Sequence, residues 1–175
     1  MIMKQHITTI SLEKELESLK KSFDLDQTKP FEYESKNLFK YIVFHISEEQ
    51  YAWPLSNLKE IVLKQIVVPI PGKCESLCGV FNYRNQVMPV INTYYLLGLG
   101  AFDMEKEIIL MVTKGLSIES AIPVDSLVSM ISIAESDLKP KPISLSSEVA
   151  SLIKGEVVIG NQFISILYPD AFTKG

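Results

Sequence analysis

The reactive side chains of this chain are few, so the chemistry open to it is narrow. Cys74 and Cys78 stand four positions apart in "GKCESLCGV". That spacing fits neither the usual paired zinc ligands nor a redox C-x-x-C. His6 and His45 are the only histidines, and neither has a second set of ligands nearby in sequence. A Cys74 nucleophile would need a base, for which His45 is the sole candidate by type. No G-x-S-x-G elbow, phosphate-binding loop or His-x-x-x-His pair occurs. The residues therefore predict two free thiols in a reducing compartment, no metal, no cofactor and no catalytic centre.

Binding chemistry is better represented. "GVFNYRNQVMPVIN" (79–92) holds two apolar runs about a polar centre, Tyr83-Arg84-Asn85-Gln86. A guanidinium in such a turn is either simply solvated or held for a purpose. Its stem follows an apolar strand and should lie along buried surface. Its planar fork can grip a carboxylate, which a lysine does less well. Glu60 in "NLKEIVL" is the candidate partner. That stretch alternates Leu58, Glu60 and Val62 on one side with Lys59, Ile61 and Leu63 on the other. An Arg84–Glu60 pair would stiffen the turn and aim the remaining donors outward. Apolar patches beside it are Ile61 with Leu63, and the Val87/Pro89/Ile91 side of the next strand. Pro89 lacks an amide donor, which predicts an edge strand.

The elements that position these residues are mostly strands. The runs "FKYIVFHI", "IVVPI", "VFNY", "VMPVI", "EIILMV", "ESAIPV", "LVSMISI", "EVVIG" and "FISILY" are short and β-branched or aromatic. Turn residues separate them, among them "ISEEQ", "RN", "KPKP" and "IGNQ". Many short strands predict small barrels or a sandwich. Brief helices are expected at Glu75–Leu77, Thr93–Leu97 and Ser147–Ile153, with Asn92 capping the second. "VFNYRNQVMPVI" and "GEVVIGNQFISIL" echo each other as hairpins, as two similar barrels would.

Residues 1–37 differ from the rest. Leu12, Leu16, Leu19 and Phe23 recur at helical spacing, and a polar stretch broken by Pro30 follows. The narrow stripe favours a helix that docks on its own domain or frays over one that binds a partner. The chain has 175 residues, 47% of them hydrophobic, a formal net charge of −4 and a pI near 5.3. That is enough for a core without disulfides. Mild acidity argues against nucleic-acid and anionic-membrane partners. No run is long enough to span a bilayer and no signal-peptide core is present, so the expected location is the cytoplasm.

"CGVFNYRNQVMPVINTYYLLGL" resembles the signature of CheW-type coupling domains, G-V-h-N-L-R-G-x-h-h-P-V-h-D-L-R-x-x-L-G, where h is hydrophobic. It matches at Gly79, Val80, Asn82, Arg84, Val87, Pro89, Val90, Ile91, Leu97 and Gly98. "LKEIVLKQIVVPIPG" resembles the family's V-x-E-I stretch and proline loop. "SAIPVDSLVSMISI" and "LIKGEVVIGNQFISILYPDAF" resemble its later strands. The resemblance covers about residues 39–173. It departs at Asn85 for glycine, Asn92 for aspartate, and Thr93-Tyr94 for Leu-Arg.

The resemblance implies two interlocked five-stranded SH3-like β-barrels with short helices over 38–175, preceded by a helical extension over 1–37. It implies a non-catalytic adaptor between the regulatory domain of a CheA-like histidine kinase and the cytoplasmic tips of chemoreceptors. The isolated protein would be a monomer, without nucleic acid or membrane insertion. Carried over by position, Arg84 and Glu60 bind the partner, Asn82 holds the turn, and Asn85, Ile61, Leu63, Val87 and Pro89 surround them. A CheW-like adaptor of pilus motility or gene regulation, or an SH3-like nucleic-acid-binding barrel, would share many of these features.

Overall fold

The structure, a computed structural model, describes residues 37–172 apart from 64, 73, 101, 104–107 and 115–117. The helix expected in the N-terminal extension lies outside the described residues. Ten strands form two five-stranded sheets. They are β1 (Leu38–Ile46), β2 (Glu49–Pro54), β3 (Leu58–Leu63), β4 (Leu77–Tyr83), β5 (Gln86–Ile91), β6 (Ile109–Thr113), β7 (Ser120–Val124), β8 (Ser126–Ala134), β9 (Ile153–Ile159) and β10 (Gln162–Leu167). The first sheet runs β8-β1-β2-β10-β9 and the second β3-β6-β7-β5-β4. The chain leaves the first sheet after β2 through a 3-10 turn, Leu55–Asn57, and returns at β8 after Asp125. The second sheet is thus inserted within the first, the interlocking that the resemblance implied.

Burial explains why the strands read as continuous apolar runs. Tyr41 and Val43 of β1 face a core inside the first sheet with Ile164 and Ile166. Their neighbours Ile42, Phe44 and Ile46 face a core shared with Met111 and Ile122 of the second sheet. β6 does the same in reverse, with Leu110 and Val112 in the second sheet's own core and Met111 in the shared one. A strand buried on both faces loses the polar alternation of a half-exposed one. β2 carries no strand pattern in the sequence for this reason. "YAWP" follows a turn-like "ISEEQ", yet Tyr51, Ala52 and Trp53 are all buried.

Helix α1 spans Thr93–Leu96, and the Asn92 side chain accepts the Tyr95 N–H at 3.1 Å. Helix α2 spans Ser147–Leu152 and is capped by Ser146. The helix expected at Glu75–Leu77 is a turn instead, closed by the Leu77 N–H on the Cys74 carbonyl at 3.1 Å. Leu77 already belongs to β4, so no helical turn fits. "IVVPI" is not a strand either. Only Val68 pairs, in an isolated bridge with Val80, because Pro69 and Pro71 remove the donors that would continue the pairing beyond it. Gly79 makes that bridge possible. Its φ is +154°, and a Cβ there would sit 2.2 Å from the Val68 carbonyl oxygen.

The expected edge position of Pro89 is wrong. β5 lies between β4 and β7. Val80, which faces Pro89, donates its N–H to the Val68 carbonyl at 2.9 Å and accepts the Val68 N–H at 2.7 Å. Val80 and Pro89 therefore form a non-hydrogen-bonded pair. The proline nitrogen points toward β7, where only Val90 and Ala121 are in register. An interior strand tolerates proline there because almost no ladder exists to break.

Candidate functional site

The β4–β5 hairpin turns at Arg84 and Asn85, with φ of +50° and +65°. Two left-handed residues in succession give the type I′ geometry that matches strand twist. The Asn82 side-chain oxygen accepts the Asn85 N–H at 3.0 Å and closes the turn. Asparagine tolerates this backbone region better than most side chains, so the geometry survives without glycine.

This turn brings Arg84 over β3, which stands at the other end of the sheet's strand order. Its Nη2 donates to Glu60 Oε2 at 2.7 Å, forming the pair expected from the sequence. The same oxygen accepts the Tyr83 hydroxyl at 2.5 Å. The Arg84 guanidinium also lies 5.3 Å from the Tyr83 ring centroid. Tyr83 is buried, at 5% exposure, so the carboxylate is anchored from below by a fixed group. The Tyr83 hydrogen bond is the first cause that holds the Glu60 carboxyl below its usual range, followed by the Arg84 charge. The Tyr83 phenol is pushed up in turn, chiefly by that bond and then by burial. The Arg84 side chain stays 71% exposed, so most of its fork faces solvent.

Tyr83 is the member that sequence reasoning missed. The sequence puts it in the polar centre of the turn, yet its ring packs inward with Phe81 and only its hydroxyl reaches out to Glu60. Lys59 also joins the cluster. Its Nζ lies 5.6 Å from the Tyr83 centroid and 2.8 Å from Glu119. A register shift between Leu58 and Glu60 brings both residues toward Tyr83, against the simple alternation expected.

The surrounding apolar residues divide. Val87 is 78% exposed and Leu63 59% exposed. Pro89 is half-buried. Ile61 is half-buried against the shared core, which leaves it less of a surface residue than expected. Val87 faces Asn82 and Pro89 faces Val80 across the hairpin. These four form its outward face, since Phe81, Tyr83, Met88 and Val90 point inward. A groove of about 320 Å³ adjoins it, lined by Leu77, Pro89, Ile91, Leu96 and Phe172.

Cys74 is exposed and Cys78 half-buried, both as free thiols. Burial pushes the Cys78 thiol up to about 12, far from a reactive thiolate. His45 bonds Ser126 and Gln50. Among the described residues no three His, Cys, Asp or Glu side chains are grouped to hold a metal ion. No described helix is long and apolar enough to cross a membrane.

The sequence pattern of the CheW-like domain matches residues 40–174. The chain belongs to the CheW-like domain family. The Thermotoga maritima chemotaxis protein CheW is 28% identical over 100 residues, 57% of this chain and 66% of that one. The Helicobacter pylori chemotaxis protein CheW is 30% identical over 113 residues, 65% of this chain and 68% of that one. The fold is similar to that of the crystallised scaffolding protein TtCheW from Thermoanaerobacter tengcongensis. There the TM-score is 0.69 at 22% identity, covering 79% of this chain and 94% of that one. CheW-like membership makes this protein a chemotaxis adaptor that couples a kinase to receptors. The family is one of non-catalytic scaffolds.

Proposed function

We propose that the Arg84 ridge is where this CheW-like adaptor meets the regulatory domain of a CheA-like histidine kinase. The observation that carries this is the shared Glu60 oxygen. One carboxylate holds a buried phenol and an exposed guanidinium, so the charge is presented in a fixed place at little entropic cost on binding. The outward hairpin face, Val80, Asn82, Val87 and Pro89, supplies apolar area beside an orienting charge. Leu63 extends the same surface, and Asn85 with Asn82 fixes the turn.

The chemoreceptor tip takes a different surface. β8 and β3 each end a sheet, and Leu127, Val128 and Met130 on β8 are exposed. Apolar edges of this kind favour an added partner. Residues 38–175 form the working CheW-like domain and 1–37 an extension. The protein works in the cytoplasm, is a monomer by itself, and neither binds nucleic acid nor performs catalysis.

The test is calorimetric titration with the regulatory domain of a chemotaxis-type kinase from the same organism, using wild type and Arg84→Ala. Truncating a central arginine weakens such an interface by about 2 kcal/mol, roughly thirtyfold. Equal binding by the two proteins, or an unfolded Arg84→Ala, would sink this reading.

A further inference from the structure

β8 is the longer of the first sheet's two edge strands, and it carries no charge. Its nine residues, Ser126–Ala134, read SLVSMISIA, and the strand pairs with β1 alone. Edge strands ordinarily hold a lysine or a proline against unwanted pairing. Here the exposed part holds Leu127, Val128 and Met130 instead.

Met130 stands apart from the other described methionines. It is 70% exposed, against 4% for Met88 and 0% for Met111. The ladder explains its place. Val43 pairs with Ser129 and Phe44 with Leu127, so Val128 is an extra residue on β8. Beyond that bulge Met130 faces Ile42, and cross-strand partners share one face of a sheet. Ile42 is buried in the core between the two sheets. Met130 lies one strand further out, at the rim of that core.

A thioether in this position is both an apolar contact and a redox group. Its sulfur lone pair attacks one oxygen of a peroxide, the O–O bond breaks, and the second oxygen leaves as water. The sulfur is oxidised to a sulfoxide and the peroxide is reduced. A dithiol reductant reverses the step, closing to a disulfide and releasing the oxygen as water. The sulfoxide is polar, and it sets a new acceptor beside the hydrocarbon of Leu127 and Val128.

We propose that Met130 is a reversible oxidation site through which peroxide weakens the receptor-binding edge of this adaptor. The proposal rests on the reading given above, in which the receptor tip takes the β8 edge. The hairpin that carries Arg84 holds only the buried Met88, so the kinase face is left as it was.

The test treats the full-length protein with hydrogen peroxide, maps the product by peptide mass spectrometry, and titrates it with a receptor-tip fragment. Among Met88, Met111 and Met130, the folded protein should gain oxygen at Met130 alone. Receptor affinity should fall about tenfold, with kinase-domain affinity unchanged. A pair of methionine sulfoxide reductases, one for each sulfoxide epimer, should restore it. Met130→Leu, which keeps both thiols, should bind as wild type and hold its affinity through the treatment. Met130→Gln should show the weakened binding without peroxide. Oxidation of Met88 or Met111 as fast as Met130 would overturn the proposal. So would receptor affinity unmoved by Met130 oxidation, or a peroxide effect that persists in Met130→Leu. If the untreated protein binds no receptor fragment, the β8 reading fails, while the peptide map still decides the oxidation site.

Discussion

Arg84 and Tyr83 are adjacent in sequence yet approach Glu60 from opposite environments, and both donate to its Oε2. One is exposed and the other buried. This sharing makes an exposed ion pair into a fixed feature. Exposed pairs of long side chains are ordinarily loose and contribute little. Here the acceptor is immobilised by a core residue, and the guanidinium also rests against that residue's ring.

Stability and binding should separate at Arg84. Its exposure means that Arg84→Ala shifts unfolding free energy by less than about 0.5 kcal/mol. Arg84→Lys keeps the charge but loses the planar fork over Tyr83. It should lose nearly as much kinase-domain affinity as alanine. Thermal melts beside titrations check this, and a lysine variant that binds like wild type would refute the role of the fork.

Tyr83→Phe removes the first cause of the lowered Glu60 pKa. Because the folded value lies below the unfolded one, Glu60 contributes stability above the ordinary carboxylate pKa of about 4.3. That contribution is lost as pH falls through the folded value. In Tyr83→Phe the Glu60 midpoint, followed by carboxyl-carbon NMR, should move up toward the ordinary range. The stability gained between acid and neutral pH should shrink with it. An unmoved midpoint would show that the Arg84 charge alone sets it.

The turn makes opposite demands at one position. Asn85→Gly should leave the denaturation midpoint unchanged or slightly higher, since glycine adopts a φ of +65° freely. Asn85→Val should lower stability by about 1–2 kcal/mol. Equal stability of the two variants would mean that the turn relaxes to another type.

Gly79→Ala should be among the most damaging small substitutions. The added methyl would overlap the Val68 carbonyl, and backbone cannot step aside as a side chain can. Loss of about 3 kcal/mol or more is expected, with fast exchange at the Val68 amide. Full protection of that amide would show that the 65–70 segment moves as a unit instead.

The two thiols should differ toward iodoacetamide at neutral pH. Exposed Cys74 takes the label, and Cys78 stays unmodified until the protein unfolds, because burial holds its proton. Kinase-domain binding should survive labelling. Its loss would bring Cys74 into the docking surface.

Local chemistry determined much of this protein. The β-rich composition, the hairpin turn at Arg84-Asn85, the Asn92 cap and the Glu60–Arg84 pairing all rest on short-range rules or on a signature matched at specific residues. They were legible because turn backbone and capping depend on a few adjacent side chains. The tertiary structure decided the rest. β2 was hidden because burial on both faces erases period-two patterning. Pro89 was misplaced because strand order and register are not local properties. Tyr83 reads as part of a polar turn, and only the fold shows its ring buried with its hydroxyl beneath an exposed arginine. The partner of an aromatic ring's polar tip depends on which distant strand the chain brings beside it.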